Sequence, residues 1–350
     1  MKIIITALFF QFLMLTNSIA KSNIQPQYKV LQSKQLTHDF FIRQVERPAV
    51  WSNASATNES VDCVAKIKSM ICLAENSNSP CYNSQEIQVE KVILIYHQLP
   101  PFFQKGFCSL TQIRIEQNMN STAYATTDVD ENWQIVGGIV GINQAALVSE
   151  KNFSNWISWK EQLNFGGSET PGVVTAGLPT IEANAQIHDP LLTYVMIHEL
   201  SHIFDMANQV QKTWGPEFWE NEVTPKRRFD LSARDRFCYY NCNGHFISTT
   251  DAVSIYTEIE SSIFPNSYSM MSSMEDFAEV SALYFWSQYP GATYKIHASE
   301  NKIYDVLAKL STAVMKWKVN FVKMFYNDKQ TKPGLGPQIK PLRQKSRLVI

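Results

Sequence analysis

The chain carries almost no net charge: 31 Lys and Arg stand against 32 Asp and Glu, leaving −1 at neutral pH over 350 residues. Without a basic surplus it lacks the electrostatic footprint of a nucleic-acid binder. After the first twenty residues no apolar run approaches the roughly 20 residues that a membrane-spanning helix needs, so no internal transmembrane segment is expected. No cysteine follows the N-terminal apolar run, which excludes a lipoprotein cleavage site, and no internal repeat is present. Hydrophobic residues at 45% and charged residues at 18% are ordinary for a globular chain with a substantial core. One large domain plus a smaller segment accounts for the length.

The N-terminus reads Met1-Lys2, an apolar run from Ile3 to Leu15 interrupted at Gln11, then small Ser18 and Ala20 flanking Ile19. This pattern predicts a signal peptide over 1–20, cleaved after Ala20, and a secreted or periplasmic destination; an uncleaved anchor is the alternative. Export makes the six cysteines readable as disulfides. Cys238 and Cys242 are expected to pair across a turn marked by Asn241 and Gly244. Cys63, Cys72, Cys81 and Cys108 leave three connectivities open. A second metal site on Cys238, Cys242 and His245 would lack a fourth ligand, and oxidised sulfur does not bind zinc.

Residues 21–85 are polar and read as a small, loop-rich, cysteine-containing segment, and 86–328 as the main domain. Alternation in Thr111–Glu116 predicts a strand with one face in water, and Thr122–Thr126 and Trp133–Ile142 are further strand candidates, the last weakened by Gly137, Gly138 and Gly141. Asp189-Pro190 starts a helix whose Leu191, Leu192, Val195, Met196, Leu200, Ile203 and Phe204 recur at helical spacing. The stretch from Trp214 to Ser262 reads as irregular. A second helix begins near Ser273 and stops before Pro290-Gly291, and a last one is expected from Asn301 to about Tyr326. In 329–350 six basic residues and three prolines, with no acid, predict a disordered tail. That tail either solubilises the chain or makes weak contact with an anionic surface.

The chemistry concentrates in His198-Glu199-Leu200-Ser201-His202. Four residues apart on a helix, the two imidazoles share a face and can reach one ion, with Glu199 beside them. Zinc in such a site polarises a carbonyl and lowers the pKa of bound water to about 7, while a carboxylate shuttles the proton to the leaving amine. Asp205 and Asn208 stand where a metzincin would need Gly and His, so the third ligand lies elsewhere. Glu275 and Glu279, four apart on the second helix, suit it: Glu275 for the metal and Glu279 for the free nitrogen of a ligand histidine. Asp276, His188 and His245 are competing ligands, and Asp205 is either a support for the site or the cap of a nearby turn.

Together with the upstream His-Glu-x-x-His, Ser267-Tyr268, Glu275 and Phe277-Ala278-Glu279 resemble the gluzincin group that contains the anthrax lethal factor catalytic domain and the Pro-Pro endopeptidases. The resemblance implies a zincin-like fold of the α+β class, in which a short sheet lies beside the His198–Ala207 helix and the Glu275 helix crosses beneath the metal. It implies Glu275 as third zinc ligand and Tyr268 as a catalytic residue that donates to the oxyanion. Ser201 departs from the glycine many relatives carry, and 203–274 is longer than the family pattern. The resulting expectation is a zinc-dependent endopeptidase with one Zn2+ per chain and a peptide or protein substrate, held along a sheet edge for which Trp133–Ile142 is the candidate. Cobalt or manganese could substitute in such a donor set. The alternatives are a noncatalytic zinc-binding or adhesion protein on the same fold and a disulfide-rich binding module with an accidental histidine pair.

Overall fold

The computed structural model describes residues 59–83, 86–130, 135–148, 153–239 and 242–326; the expected leader and basic tail lie outside them. In chain order the elements are α1 (Glu59–Met70), β1 (Ile71–Ala74), β2 (Tyr82–Asn83), α2 (Glu86–Gln98), α3 (Pro101–Cys108), β3 (Leu110–Glu116), β4 (Ala123–Val129), β5 (Ile135–Asn143) and α4 (Gln144–Val148). There follow α5 (Phe153–Gln162), β6 (Thr180–Asn184), α6 (Pro190–Asn208), α7 (Gln211–Phe218), β7 (Trp219–Asn221), β8 (Thr224–Pro225) and α8 (Ala252–Ser261). The last are α9 (Ser273–Trp286), β9 (Thr293–Ser299), β10 (Lys302–Asp305), α10 (Val306–Lys309) and α11 (Lys316–Tyr326). The class is α+β, as expected. No helix among the described residues is long and apolar enough to cross a membrane.

A five-stranded sheet in the order β2-β1-β3-β5-β4 carries the site helix α6 against its β5–β4 end. The pairs β1–β3 and β3–β5 are parallel, and β5–β4 is antiparallel. The glycines that weaken the strand pattern in β5 are what allow this packing: a Cβ on Gly138 would come within 2.6 Å of Ile203 on α6, and one on Gly141 within 2.1 Å of the Tyr124 ring. The strand expected at Trp133–Ile142 is therefore present but interior. Its position as a sheet edge is corrected, because β4 takes that edge.

Residues 59–83 belong to this same unit instead of forming a loop-rich appendage. Ile71 to Ala74 pair with Ile113 to Glu116, Ile67 is fully buried, and Cys63 is bonded to Cys108 at the end of α3. Cys72 pairs with Cys81, and Cys238 with Cys242 as expected. The alternation in β3 also fails in part, since Arg114 and Glu116 are buried. Arg114 Nε lies 3.1 Å from Glu116 Oε1 and its Nη2 donates to the Asn76 and Ser79 carbonyls, while the Tyr124 hydroxyl donates to Glu116. The loop after β1 thus covers the face that would otherwise meet water.

Two further expectations are corrected. The stretch 214–262 holds most of α7, the β7–β8 hairpin and α8. The long final helix is broken, because Lys302–Asp305 pairs with β9 and the Asp305 carboxylate then caps α10 by accepting from Ala308 N. A second sheet, β10-β9-β6, forms there. The helices α6 and α9 pack on each other across the centre, with α11 closing over α9. At the closure the Tyr326 hydroxyl donates to Ser201 Oγ at 2.9 Å, so Ser201 ties the last helix to α6.

Asp276 and Lys318, both fully buried, meet at 2.5 Å, and Trp214 and Trp219 donate to Asp276 at 3.0 and 3.1 Å. Removing one member leaves the other charge buried without its partner, which costs about 3–5 kcal/mol, whereas removing both costs much less. Urea unfolding should therefore show Lys318→Met destabilised by about that amount and Lys318→Met/Asp276→Asn recovering a large part of it; a single variant within 1 kcal/mol of wild type would show that the pair does not hold α9 to α11.

Candidate metal centre

Helix α6 begins where the sequence marks it. The Asp189 side chain accepts from Leu192 N at 3.2 Å and Pro190 occupies the first turn, where its missing N–H costs nothing. From there His198 and His202 fall on the face turned to α9. Helix α9 is capped by Ser272, whose Oγ accepts from Glu275 N at 3.1 Å, so Glu275 sits in the first turn of its helix and reaches the histidines.

Three donor atoms converge. His198 Nε2 and His202 Nε2 are 3.1 Å apart, and Glu275 Oε2 lies 3.1 Å from the first and 3.3 Å from the second. Tetrahedral ligands at the usual zinc–nitrogen distance stand about 3.3 Å from one another, so the triangle has the size that such an ion requires. Without an ion these groups hold each other as an ion-pair cluster. Burial works against charge on His198, but hydrogen bonds and charge from Glu275 and Glu279 outweigh it and raise its pKa to about 10. Burial likewise opposes ionisation of Glu275, yet His202 and His198 hold its carboxyl well below the usual range. The group of His198, His202 and Glu275 could hold a metal ion.

Glu279 supports the ligand side. Its Oε2 lies 2.9 Å from His198 Nδ1, and its Oε1 accepts from Tyr194 and from Asn266 Nδ2, both at 2.6 Å. A donor at Nδ1 leaves the Nε2 lone pair for the metal, which is the role read from the sequence. His202 differs: its Nδ1 is buried and has no hydrogen-bond partner among the described residues. Asp205, read as either a support for the site or the cap of a nearby turn, does not supply one. It accepts from Gln211 Nε2 at 2.6 Å, and its carbonyl takes the N–H groups of Gln209 and Val210, so it closes the end of α6. Burial raises the Asp205 pKa to about 6. Asp276 is removed from the competition by its pairing with Lys318, and neither His188 nor His245 joins the cluster.

Glu199 and Tyr268 line one cavity of about 70 Å3 together with His198. Burial pushes the Glu199 carboxyl up, against the pull of His198 and His202. Tyr268 stands on a short turn, Tyr268–Met270, and its hydroxyl donates to Glu275 Oε1 at 3.3 Å. Asn266 fixes that turn by accepting from Ser269 N at 3.0 Å, and the Ser267 hydroxyl donates to the buried Glu161 carboxylate at 2.8 Å.

Sequence reasoning missed the floor of this cavity. Glu161 also accepts from Tyr256 and Tyr239, and Lys160 sits beside it, its ammonium 3.2 Å from the centre of the Tyr268 ring. Both residues lie on α5. The signal was present in Phe153, Trp156, Ile157 and Lys160, whose spacing of three, four and seven places a cation on the apolar face of a helix.

Elemental analysis of metal-loaded protein should find one zinc per chain in wild type and none retained through dialysis in His202→Ala or Glu275→Ala, while Glu279→Gln should weaken affinity about 10–100-fold. Zinc that survives both ligand substitutions would place the metal elsewhere. No family model, no curated protein and no solved structure matches the chain.

Proposed function

We propose that the chain is a zinc-dependent endopeptidase of the gluzincin type with a zincin-like fold. The observation that carries the reading is the set of three donors at tetrahedral spacing with Glu199 and Tyr268 on the cavity beside them. His198, His202 and Glu275 would hold the ion. A zinc ion held there would supply Lewis-acid polarisation of a scissile carbonyl and would acidify a water molecule. Glu199, raised by burial, takes the proton from that water and returns it to the leaving nitrogen. Tyr268 gives up its hydrogen bond to Glu275 and donates to the oxyanion as the carbonyl becomes tetrahedral.

Ser121, Thr122 and Ala123 border the same cavity at the start of β4, the free edge of the five-stranded sheet. An extended peptide laid along that edge by strand addition would bring a backbone carbonyl to the metal face. The three disulfides fit an oxidising compartment and support export. A noncatalytic metal protein on the same scaffold would need neither Glu199 nor Tyr268, so their convergence favours the enzyme.

Two substitutions test the roles. Glu199→Gln should retain one zinc per chain and lose several orders of magnitude in peptide hydrolysis, and Tyr268→Phe should retain zinc and lose about 10²–10³ in kcat. Hydrolysis that persists in Glu199→Gln would remove the mechanism.

A further inference from the structure

Among the described residues, three that are not glycine have a backbone φ in the left-handed region: Gln209, Asn243 and Tyr239. Gln209 follows the last turn of α6, where that conformation ends a helix, and asparagine tolerates it. Tyr239, at φ 45°, has neither reason, and a bulky residue persists there only where its surroundings determine it. Those surroundings belong to one loop. Asn164, buried just past the end of α5, accepts through its side chain from Cys238 N at 2.9 Å and Tyr239 N at 2.8 Å, and its carbonyl accepts from Ile247 N at 2.8 Å. Between these anchors the Cys238–Cys242 bond closes the chain, ahead of Asn243 to Phe246, which are exposed. The conformation carries the Tyr239 side chain inward to the Tyr268 turn. Its ring meets the Tyr268 ring at 87° with centres 5.0 Å apart, and its hydroxyl lies 2.7 Å from Ser267 Oγ and 3.3 Å from Glu161 Oε2.

We propose that Tyr239 is a positioning residue for the Tyr268 hydroxyl, locked in place by the Cys238–Cys242 disulfide. The purpose of the positioning rests on the peptidase reading, in which Tyr268 donates to the oxyanion; the coupling of the loop to Tyr268 does not. A phenol that donates to a charge formed only in the transition state is effective to the extent that it is placed beforehand. Tyr268 stands on a turn of three residues, and its hydroxyl bond to Glu275 is the one it gives up in the reaction. Its ring has to be held by other contacts. Tyr239 holds the ring by its edge-to-face contact and the preceding residue, Ser267, through its hydroxyl. The disulfide fits this local task. Closing a loop between cysteines only four apart in the chain restricts the unfolded chain far less than a long-range bond would, but it confines the Tyr239 backbone directly.

The test is a double-mutant cycle in zinc-loaded protein, on a peptide that the wild type cleaves. Zinc content and melting temperature near those of wild type identify the folded variants. Tyr239→Leu should lower kcat about tenfold with KM within about twofold of wild type, and Tyr239→Phe, which keeps the ring, should lose less. Cys238→Ser/Cys242→Ser, which leaves the other two disulfides intact, should behave like Tyr239→Leu. In a Tyr268→Phe background each of these changes should alter kcat by less than about twofold, because the hydroxyl they position is gone. A general loosening of the fold would lower kcat by the same factor in both backgrounds; that result, or a kcat unchanged by Tyr239→Leu, overturns the proposal. If the cysteine variant does not fold, the Tyr239 series decides alone. Should no peptide be cleaved at all, the hydrolytic reading falls, and the coupling is read by fluorine NMR of protein labelled with meta-fluorotyrosine. The Tyr268 resonance, assigned by its loss in Tyr268→Phe, should shift in the cysteine variant and in Tyr239→Phe, in both of which a ring still stands at position 239. A resonance that stays in place in both removes the coupling.

Discussion

The carboxylate of Glu279 is the junction on which the rest of the site depends. It receives the His198 imidazole and the Tyr194 hydroxyl from α6 and the Asn266 amide from the turn ahead of Tyr268. One side chain thus sets the orientation of the His198 ring, ties α6 to α9 and holds the turn that carries Tyr268. Burial opposes its charge, but the bond and charge of His198, with Tyr194 and Lys160, hold its pKa below the usual value, so it stays an acceptor. A neutral acid there would place a proton between itself and His198 and loosen all three connections.

Two more buried carboxylates extend the same principle outward. Glu161 gathers the hydroxyls of Tyr256, Tyr239 and Ser267 beneath the Tyr268 turn, and Asp276 gathers Lys318, Trp214 and Trp219 on the opposite side of α9. Networks of this kind contribute little net stability compared with apolar packing, but each fixes a geometry that apolar contacts would leave adjustable. The aromatic core supplies the burial: Trp156, Trp159, Trp214, Trp286, Phe204 and Phe277 are almost wholly enclosed around these acids. Helices then carry the histidines and Glu275, and the short Tyr268 turn is held from both sides by Asn266 and Ser267.

The part of this arrangement that is local was legible in the amino-acid sequence. Cap, periodicity and motif coincide in α6, Glu275 and Glu279 share a helical face, and Cys238 and Cys242 are close enough in the chain to pair across a turn. The parts that depend on distant partners were not. Ile71–Ala74 is a strand because it lies parallel to β3, and the Cys63–Cys108 bond spans 45 residues; neither has a signature in its own neighbourhood. β5 carried glycines that argue against a strand until Ile203 and Tyr124 are seen to need the space. The residues 302–305 form a strand only because β9 offers an edge. At the site, sequence distance could not decide between the two roles open to Asp205, whose side chain turns to Gln211, and Lys160 and Glu161 went unread because charged residues at the end of a short helix ordinarily face solvent.

The central claim is that the two histidines and Glu275 hold an ion that serves peptide hydrolysis, and a chelation and reconstitution assay reaches it most directly. Purified protein is assayed on a mixed peptide pool before chelation, after it, and during stepwise return of zinc. The account predicts cleavage that is lost with the metal and recovers in proportion to zinc up to about one equivalent per chain. Cleavage that chelation leaves intact, or zinc-replete protein that cuts no peptide, would contradict it.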